Sequence, residues 1–222
     1  MTHIVTILMI EFVTHDVKRF VVSKPEGFTW QPGQGVTLVI NQPKWVEEEG
    51  RPFTPTGLTS DRVLEFIIKR YAEHQAVTDR LHTLRPGDEL LMSDPFGTIT
   101  YKGPGTFIAA GAGMTPFLAI IRQLASENKL TGHRLLFANK TPADIFCEKE
   151  LCYFLGDQCL LTCTRKQSPG YDNHRINKAY LAENITDFNS YFYVCGPNIF
   201  VEEIKEALVE LGVRSDQLVL EE

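Results

Sequence analysis

The sequence predicts two domains in one chain: an N-terminal antiparallel β-barrel over residues 1–103 and a C-terminal α/β domain with a parallel sheet over residues 104–222. Three observations predict this division. The 222 residues exceed what a typical single domain of roughly 100 to 150 residues needs. Short apolar runs separated by turn formers fill the first half. In the second half apolar runs alternate with helical stretches, which is typical of parallel strands joined by crossovers.

The composition is that of an ordinary globular protein. Hydrophobic residues make up 43% of the chain and charged residues 23%, which excludes disordered, collagen-like and disulfide-scaffold classes. The net charge is −6, so electrostatics gives no reason to expect a nucleic acid or an anionic membrane as partner. A small soluble partner or substrate is expected instead.

The early apolar run and the cysteines indicate a cytoplasmic protein. Residues 4–13 contain Glu11 and have no Lys or Arg before them, which fits neither a signal peptide nor a membrane span. The odd number of cysteines and their absence from the first half predict reduced thiols. Their spacing differs from the plant-type ferredoxin pattern, so no metal site is expected. The five cysteines are Cys147, Cys152, Cys159, Cys163 and Cys195.

Five apolar runs in the first half predict β-strands. Turn formers separate them at 31–34 (Gln-Pro-Gly-Gln) and at 85–88 (Arg-Pro-Gly-Asp). Strands this short favour a small antiparallel barrel or sandwich, because exposed strand edges must be closed or covered. One short helix is expected at 77–84. The predicted strands are residues 4–13, 17–22, 35–40, 63–68 and 89–92.

After residues 102–105 (Lys-Gly-Pro-Gly) the pattern changes to strands that alternate with helices. This change places the expected domain boundary near Gly103. The predicted strands are residues 106–110, 134–138, 158–164 and 191–194. The predicted helices are residues 115–128, 144–155 and 199–211.

The segment Gly111-Ala-Gly-Met-Thr-Pro116 lies between a predicted strand and a predicted helix. A helix N-terminus at the carboxyl end of a strand attracts anions, and glycine lets the backbone approach them closely. Pro116 suits the first helical turn. Because the third glycine of the usual dinucleotide fingerprint is absent, a tight turn without a ligand is the alternative.

The segment Arg51-Pro-Phe-Thr54 combines a cation, an aromatic ring and a hydroxyl. An arginine can hold a phosphate with two hydrogen bonds, an aromatic ring can stack on a flat heterocycle, and a hydroxyl can donate to a ring nitrogen. Taken singly, such residues are more often a surface charge, a core ring and a turn hydroxyl.

The segment Cys195-Gly-Pro197 also follows a predicted strand and precedes a predicted helix. If the strands that end at Ala110 and Val194 are neighbours, Cys195 lies beside the Gly111 loop. The alternative is a buried small thiol followed by a turn.

Together and in this order, the three segments resemble the ferredoxin–NADP reductase superfamily, in particular its short bacterial flavodoxin and ferredoxin reductases. The resemblance covers nearly the whole chain. It also includes 28–34 (Phe-Thr-Trp-Gln-Pro-Gly-Gln) and 94–97 (Asp-Pro-Phe-Gly). It implies an FAD-binding barrel followed by an NAD(P)H-binding domain, with the nicotinamide brought over the flavin at their interface.

The resemblance implies specific roles in the barrel. Arg51 would bind the flavin pyrophosphate, Phe53 would stack on the isoalloxazine, and Thr54 would approach its N5 atom. In the family's phosphate-cradling turn, here Gln75-Ala-Val-Thr78, Gln75 replaces a glycine. The barrel residues expected to bind cofactor are Arg51, Pro52, Phe53, Thr54, Ile68, Lys69, Arg70, Tyr71, Ala76, Val77 and Thr78.

In the second domain, the Gly111 loop would face the pyrophosphate and nicotinamide, and Cys195 would lie near the carbon that gives up hydride. Cations after two strands give a slight preference for NADPH over NADH. Thr54 and Cys195 are the expected catalytic residues, which position the reacting atoms. The expected cofactor-binding residues of this domain are Gly111, Gly113, Thr115, Pro116, Lys140, Arg165, Lys166, Cys195, Gly196 and Pro197.

The implied function is electron transfer from NAD(P)H through FAD to a separate carrier such as flavodoxin or ferredoxin. The same chain could be the reductase component of an oxygenase or a free-flavin reductase. A non-catalytic electron-transfer or nucleotide-binding subunit is the alternative of another class. The family commonly ends in an aromatic residue that covers the flavin, whereas this sequence reads Leu-Val-Leu-Glu-Glu at 218–222, so a more open flavin face is expected.

Overall fold

The computed structural model describes residues 2–46, 49–71, 77–97, 99–165 and 167–221. Ala76 and Lys166, which the sequence assigns to cofactor binding, lie outside these residues, as does Gln75 of the predicted phosphate-cradling turn. Within the described ranges, no helix is both long enough and apolar enough to cross a membrane.

An antiparallel sheet of six strands forms the first half of the chain. Its strands are β1 (Thr2–Phe12), β2 (Val17–Ser23), β3 (Val36–Ile40), β4 (Arg51–Phe53), β5 (Val63–Lys69) and β6 (Glu89–Ser93), with helix α1 (Val77–Leu81) after β5. The strand order is β4-β3-β6-β1-β2-β5. In β3 and β6 alternate residues point inward and are buried, as a closed sheet requires.

The segment after β4 nearly closes this sheet into a barrel. Pro55 forms a bridge with Phe66 of β5, and the backbone N–H of Thr56 donates to the carbonyl of Glu65 at 2.7 Å. The two edge strands, β4 and β5, are thereby joined. The predicted antiparallel barrel is confirmed, and closure excludes the sandwich alternative.

A parallel sheet of five strands forms the second half. Its elements are β7 (Gly105–Ala110), α2 (Met114–Ser126), β8 (Arg134–Asn139), α3 (Glu148–Leu155), β9 (Cys159–Cys163), α4 (Lys178–Asn184), β10 (Tyr191–Cys195), α5 (Asn198–Glu210) and β11 (Leu218–Leu220). The order is β11-β10-β7-β8-β9, and all neighbours run parallel. The connections reverse direction between β7 and β10, and such a switch point opens a crevice at the carboxyl ends of the strands.

Several elements differ from those predicted. Strands β4 and β11 are only three residues long, and α4 is a short helix with the side chain of Asn177 capping its N-terminus. The helix expected from residue 144 begins at Glu148 instead. A 3-10 turn over Pro142–Asp144 comes first, and Cys147 then takes a left-handed conformation with φ 55°.

Arg122 of α2 joins the two halves of the molecule. Its guanidinium donates to both carboxylate oxygens of Glu150 in α3, at 2.6 and 2.8 Å. On the barrel side it donates to the carbonyl of Thr56 at 2.8 Å and to Glu65 at 2.5 Å. Burial acts to lower the pKa of Arg122, but hydrogen bonds and charge from Glu150 and Glu65 outweigh it and raise the pKa above its usual range.

The connection between the two halves is also fixed. The hydroxyl of Tyr193 donates to the carbonyl of Gly103 at 2.7 Å and accepts from the backbone N–H groups of Lys102 and Gly103, both at 3.0 Å. Tyr101 stacks on the rings of Tyr193 and His133. These hydrogen bonds and ring contacts fix the path of the chain at the junction, which is therefore not a flexible linker.

We expect Arg122→Met to lower the free energy of unfolding by about 3 kcal/mol, because it leaves Glu150 without its cation and removes the contacts to Thr56 and Glu65 of the barrel. Urea denaturation of the purified protein measures the change. Lys129→Met is the matched control: Lys129 pairs with Glu127 on the surface and its side chain is 66% exposed, so no measurable change is expected. Equal urea midpoints for the two variants would contradict this role for Arg122.

Candidate functional site

A cleft of about 610 Å³ lies between the barrel and the carboxyl ends of β7 and β10. Its volume falls within the range of small-molecule and cofactor sites. The barrel contributes the motif at 51–54 and the end of β5. The parallel sheet contributes the loops after β7 and β10. The three motifs found in the sequence therefore face one another across this cleft.

The loops after β7 and β10 meet because their strands are neighbours. Cys195 pairs with Ala109 in the sheet, which fulfils the condition on which the sequence argument depended. A β-carbon on Gly113 would lie 2.4 Å from the carbonyl oxygen of Cys195, so only glycine allows this approach. Gly111 has a φ of 54°, in the region that glycine adopts without strain.

The loop after β7 leads directly into the N-terminus of α2. The first turn of a helix carries N–H groups without intrahelical acceptors and a partial positive charge. In this turn the Thr115 hydroxyl donates to the carbonyl of Ala112 at 3.0 Å, which closes the loop. Backbone that is free of side chains, beside a helix N-terminus, suits a pyrophosphate.

The barrel wall presents groups that suit a flavin. Arg51 and Pro52 are exposed, Phe53 is half-buried, and Thr54 is 8% exposed. Among the described residues, the Arg51 guanidinium has no ion-pair partner and the Thr54 hydroxyl has no hydrogen-bond partner. A cation, an aromatic ring and a free hydroxyl thus lie on one wall of the cleft, and these residues fit the phosphate and ring system of FAD.

Cys195 lies at the tip of β10 and is 3% exposed. Its sulfur lies 3.2 Å from a carboxylate oxygen of Glu221. Burial, together with the charge of Glu221 and its hydrogen bond, raises the pKa of the Cys195 thiol well above its usual value. Cys195 therefore remains a neutral thiol near pH 7. It is suited to contact a ligand and not to act as a nucleophile.

Glu221 lines the cleft but was not found from the sequence. It follows β11, which pairs with β10 so that Leu220 lies opposite Val194. That pairing carries the next residue of each strand to the same edge of the sheet. A strand of three residues gives too weak a pattern to reveal this position.

A second cavity of about 420 Å³ continues from the first along the carboxyl ends of β7, β8 and β9. Lys140 and Arg165 both line it, and the N–H of Arg165 donates to the carbonyl of Lys140 at 2.9 Å. Arg175 adds a further cation, which the sequence analysis did not identify. Lys69 and Tyr71 line both cavities, which therefore form one continuous groove.

Lys69 is already engaged at this junction. Its ammonium lies 2.7 Å from Asp16 and 3.8 Å from Asp144, which belongs to the parallel-sheet half. Burial acts to raise the pKa of Asp16, but the hydrogen bond and charge of Lys69 hold it below its ordinary value. Lys69 thus forms ion pairs with carboxylates from both walls of the groove.

The structure brings most of the predicted site residues together. Arg70 lies outside both linings, and its guanidinium pairs with Asp79 at 2.6 Å. Gly111, Lys140 and Arg165 line the second cavity only. The predicted residues that line the first cleft are Arg51, Pro52, Phe53, Thr54, Ile68, Lys69, Tyr71, Val77, Thr78, Gly113, Thr115, Pro116, Cys195, Gly196 and Pro197.

Solved structures of known proteins share this fold. The flavohem-like FAD/NAD-binding domain of nitric oxide dioxygenase from Vibrio cholerae matches with a TM-score of 0.87 at 23% identity, over 97% of this chain and 96% of that one. The ferredoxin NADP+ reductase from Neisseria gonorrhoeae, solved with FAD and NADP, matches with a TM-score of 0.81 at 19% identity, over 98% and 96%.

Characterised relatives are similar in sequence along nearly the whole chain. The reductase component of the naphthalene 1,2-dioxygenase system of Pseudomonas putida is 25% identical, over 96% of this chain and 66% of that protein. The reductase component of propane 2-monooxygenase from Rhodococcus jostii is 27% identical, over 94% and 60%. NADH-cytochrome b5 reductase 2 of Candida glabrata is 28% identical, over 92% and 78%. The chain thus spans slightly less than two thirds of the first two relatives.

Two protein families match consecutive parts of the chain. Residues 5–101 match the oxidoreductase FAD-binding domain, and residues 107–206 match the oxidoreductase NAD-binding domain. These matches confirm the expected cofactors, a flavin and a nicotinamide dinucleotide. The chain therefore belongs to the oxidoreductases in which an FAD-binding domain is followed by an NAD-binding domain, as the resemblance to the ferredoxin–NADP reductase superfamily implies.

Proposed function

We propose that this protein transfers hydride from NAD(P)H to FAD and passes the electrons to a separate small carrier protein such as ferredoxin or flavodoxin. The observation that carries the proposal is the single cleft in which the barrel motif at 51–54 faces Cys195 and the Gly113 loop. Relatives named as reductase components of oxygenase systems and as cytochrome b5 reductases support an acceptor on another polypeptide.

On the barrel wall, the proposed roles follow from the available polar groups. FAD, when bound, accepts a hydride and releases electrons singly. The unpaired guanidinium of Arg51 holds its pyrophosphate, the ring of Phe53 packs on its ring system, and the hydroxyl of Thr54 donates to a ring nitrogen. Ile68, Tyr71, Val77 and Thr78 line the remainder of this wall.

On the opposite wall, the proposed role of the protein is to align the nicotinamide with the flavin. The N-terminus of α2 and the Gly113 loop hold the nicotinamide dinucleotide by its pyrophosphate. The neutral thiol of Cys195, oriented by Glu221, packs against the nicotinamide and limits its movement. Cys195 and Thr54 are both buried, and bound cofactors would displace water from the part of the cleft that lies between them.

Three finer points belong to the same proposal. The domain boundary falls at residues 103/104, a division supported by the hydrogen bonds of Tyr193 to Lys102 and Gly103. The cations around the second cavity favour NADPH. The five free cysteines support a cytoplasmic location.

A reductase component of an oxygenase is the second candidate, and the names of two relatives favour it. This candidate differs from the first proposed function only in the protein that accepts the electrons. A non-catalytic subunit is disfavoured, because both walls of the cleft carry groups that suit their cofactors.

The purified protein is expected to be yellow, and its flavin absorbance near 450 nm is expected to bleach on anaerobic addition of NADPH or NADH. Stopped-flow absorbance with each nicotinamide measures the rate of bleaching and the preference between them. A protein that takes up no FAD on reconstitution, or whose flavin neither nicotinamide reduces, would overturn the proposed function.

Thr54→Val and Cys195→Ser are each expected to slow flavin reduction by about ten- to hundredfold while flavin content stays near that of the wild type, because misplaced reacting atoms lose rate steeply. Stopped-flow rates and flavin-to-protein ratios measure the two effects. Thr106→Val and Cys163→Ser are matched controls, since both residues are buried and neither lines the groove. Wild-type reduction rates in both site variants would refute these roles.

Lys140→Gln and Arg165→Gln are each expected to raise the KM for NADPH about tenfold, since each removes a charged hydrogen-bond donor available to the 2′-phosphate. The KM for NADH is expected to stay constant. Steady-state kinetics with an artificial electron acceptor measures both. Arg214→Gln, which changes an exposed arginine outside the groove, is the control. Equal effects on the two nicotinamides would contradict a phosphate-binding role.

A further inference from the structure

Two cysteines outside the cofactor groove lie close enough to react with each other. Cys152 belongs to α3 and is exposed, whereas Cys159 opens β9 and is half-buried. Their sulfur atoms are 3.8 Å apart. Neither residue lines the cleft or the second cavity, so the proposed electron transfer does not use them.

The short connection between α3 and β9 brings the two side chains together. The chain turns back at Gly156, whose φ is 52°, and a 3-10 turn over Gly156–Gln158 leads directly into β9. Cys159 packs against the apolar cluster that contains Leu151 and Leu155 of α3. Since a disulfide has sulfur atoms about 2.05 Å apart, side-chain rotation with a small movement at the end of α3 can close the remaining distance.

The surroundings give the two thiols different reactivities. Burial, together with the nearby Cys152 and Glu148, raises the pKa of Cys159 far above its usual value. Cys159 is therefore the less reactive thiol of the reduced pair, and the part of this rise that comes from Cys152 is lost once Cys152 becomes an uncharged sulfenic acid. The sulfur of Cys152 lies on the surface, where a dissolved oxidant reaches it first.

The remaining cysteines lack such a partner. Cys163 and Cys195 are buried, and burial also raises the pKa of Cys147 to about 12. Within the described part of the chain, no other two cysteine sulfurs lie within hydrogen-bond distance of each other.

We propose that Cys152 and Cys159 form a reversible dithiol–disulfide site that is oxidised by hydroperoxides. The Cys152 thiolate attacks the peroxide; an S–O bond forms, the O–O bond breaks, and the departing oxygen takes up a proton and leaves as water from hydrogen peroxide or as an alcohol from an organic hydroperoxide. The sulfur of Cys159 then attacks that of Cys152, forming the S–S bond. The S–O bond breaks, and the proton of Cys159 leaves with the hydroxyl as water. Two thiols thus give two electrons to one peroxide.

Peptide mapping of the intact folded protein after treatment with hydrogen peroxide tests the proposal. Trypsin releases residues 150–165, and cleavage before Asp157 separates Cys152 from Cys159. In the oxidised wild type the fragments 150–156 and 157–165 are expected to stay joined, lighter by two hydrogen atoms than their sum. Two of the five thiols are lost, and dithiothreitol restores them.

The variants identify the cysteines involved. The joined fragment is expected to disappear in Cys152→Ser and in Cys159→Ser and to persist in Cys163→Ser. Separate fragments from the oxidised wild type, with Cys152 free or converted to a sulfinic acid, would overturn the proposal. So would a joined fragment in Cys159→Ser, because Cys163 would then be the partner. If a variant fails to fold, tandem mass spectrometry of the joined wild-type fragment assigns the bond to Cys159 or to Cys163, and this result does not depend on flavin or nicotinamide.

Discussion

The partly buried guanidinium of Arg122 ties the barrel to the parallel-sheet half of the chain. It donates hydrogen bonds to Glu150 in its own half of the chain. In the barrel it donates to the carbonyl of Thr56 and to the carboxylate of Glu65. A charge taken out of water is tolerated only where it stays paired. The barrel therefore cannot turn away from the parallel sheet without a large loss of free energy. Thr56 lies two residues after Thr54, so the same contact also anchors the motif at 51–54.

Two polar contacts and an apolar cluster also hold the barrel against the parallel-sheet half of the chain. Lys69 joins Asp16 to Asp144 across the groove, and the Tyr193 hydroxyl fixes the chain at Gly103. Apolar side chains complete the interface: Val17 and Ile67 of the barrel share one buried cluster with Phe117 of α2. Such an arrangement favours a preorganised site, in which little further movement is needed to align donor and acceptor atoms.

The sequence predicted those parts of the fold that have strong local signals. Long apolar runs revealed β7, β8 and β10, because strands buried on both faces carry few polar residues. Strands β4 and β11 escaped prediction because three residues cannot establish an alternation, and Pro52 argues locally against a strand. The choice between barrel and sandwich depended on the bridge between Pro55 and Phe66, which no local pattern encodes.

Local sequence signals likewise revealed part of the site and missed the rest. The motifs at 51–54, 111–116 and 195–197 were visible because each follows a recognisable strand or loop and combines residue types with complementary chemistry. Glu221 and Arg175 became visible only through strand pairing and chain folding. Arg70 lies between two groove residues in sequence, but its side chain turns to Asp79. Arg70 follows the last residue of β5, and which way its side chain turns is decided by the tertiary structure.

The three-way contact of Arg122 also limits how the two domains can be recombined. In a domain exchange, the barrel of one protein would be joined to the nucleotide-binding domain of another. A cut at the junction near Gly103 would leave Arg122 on one parent and Thr56 and Glu65 on the other. A working hybrid therefore has to retain a carboxylate at position 65 of the incoming barrel, or to replace the guanidinium together with both of its acidic partners.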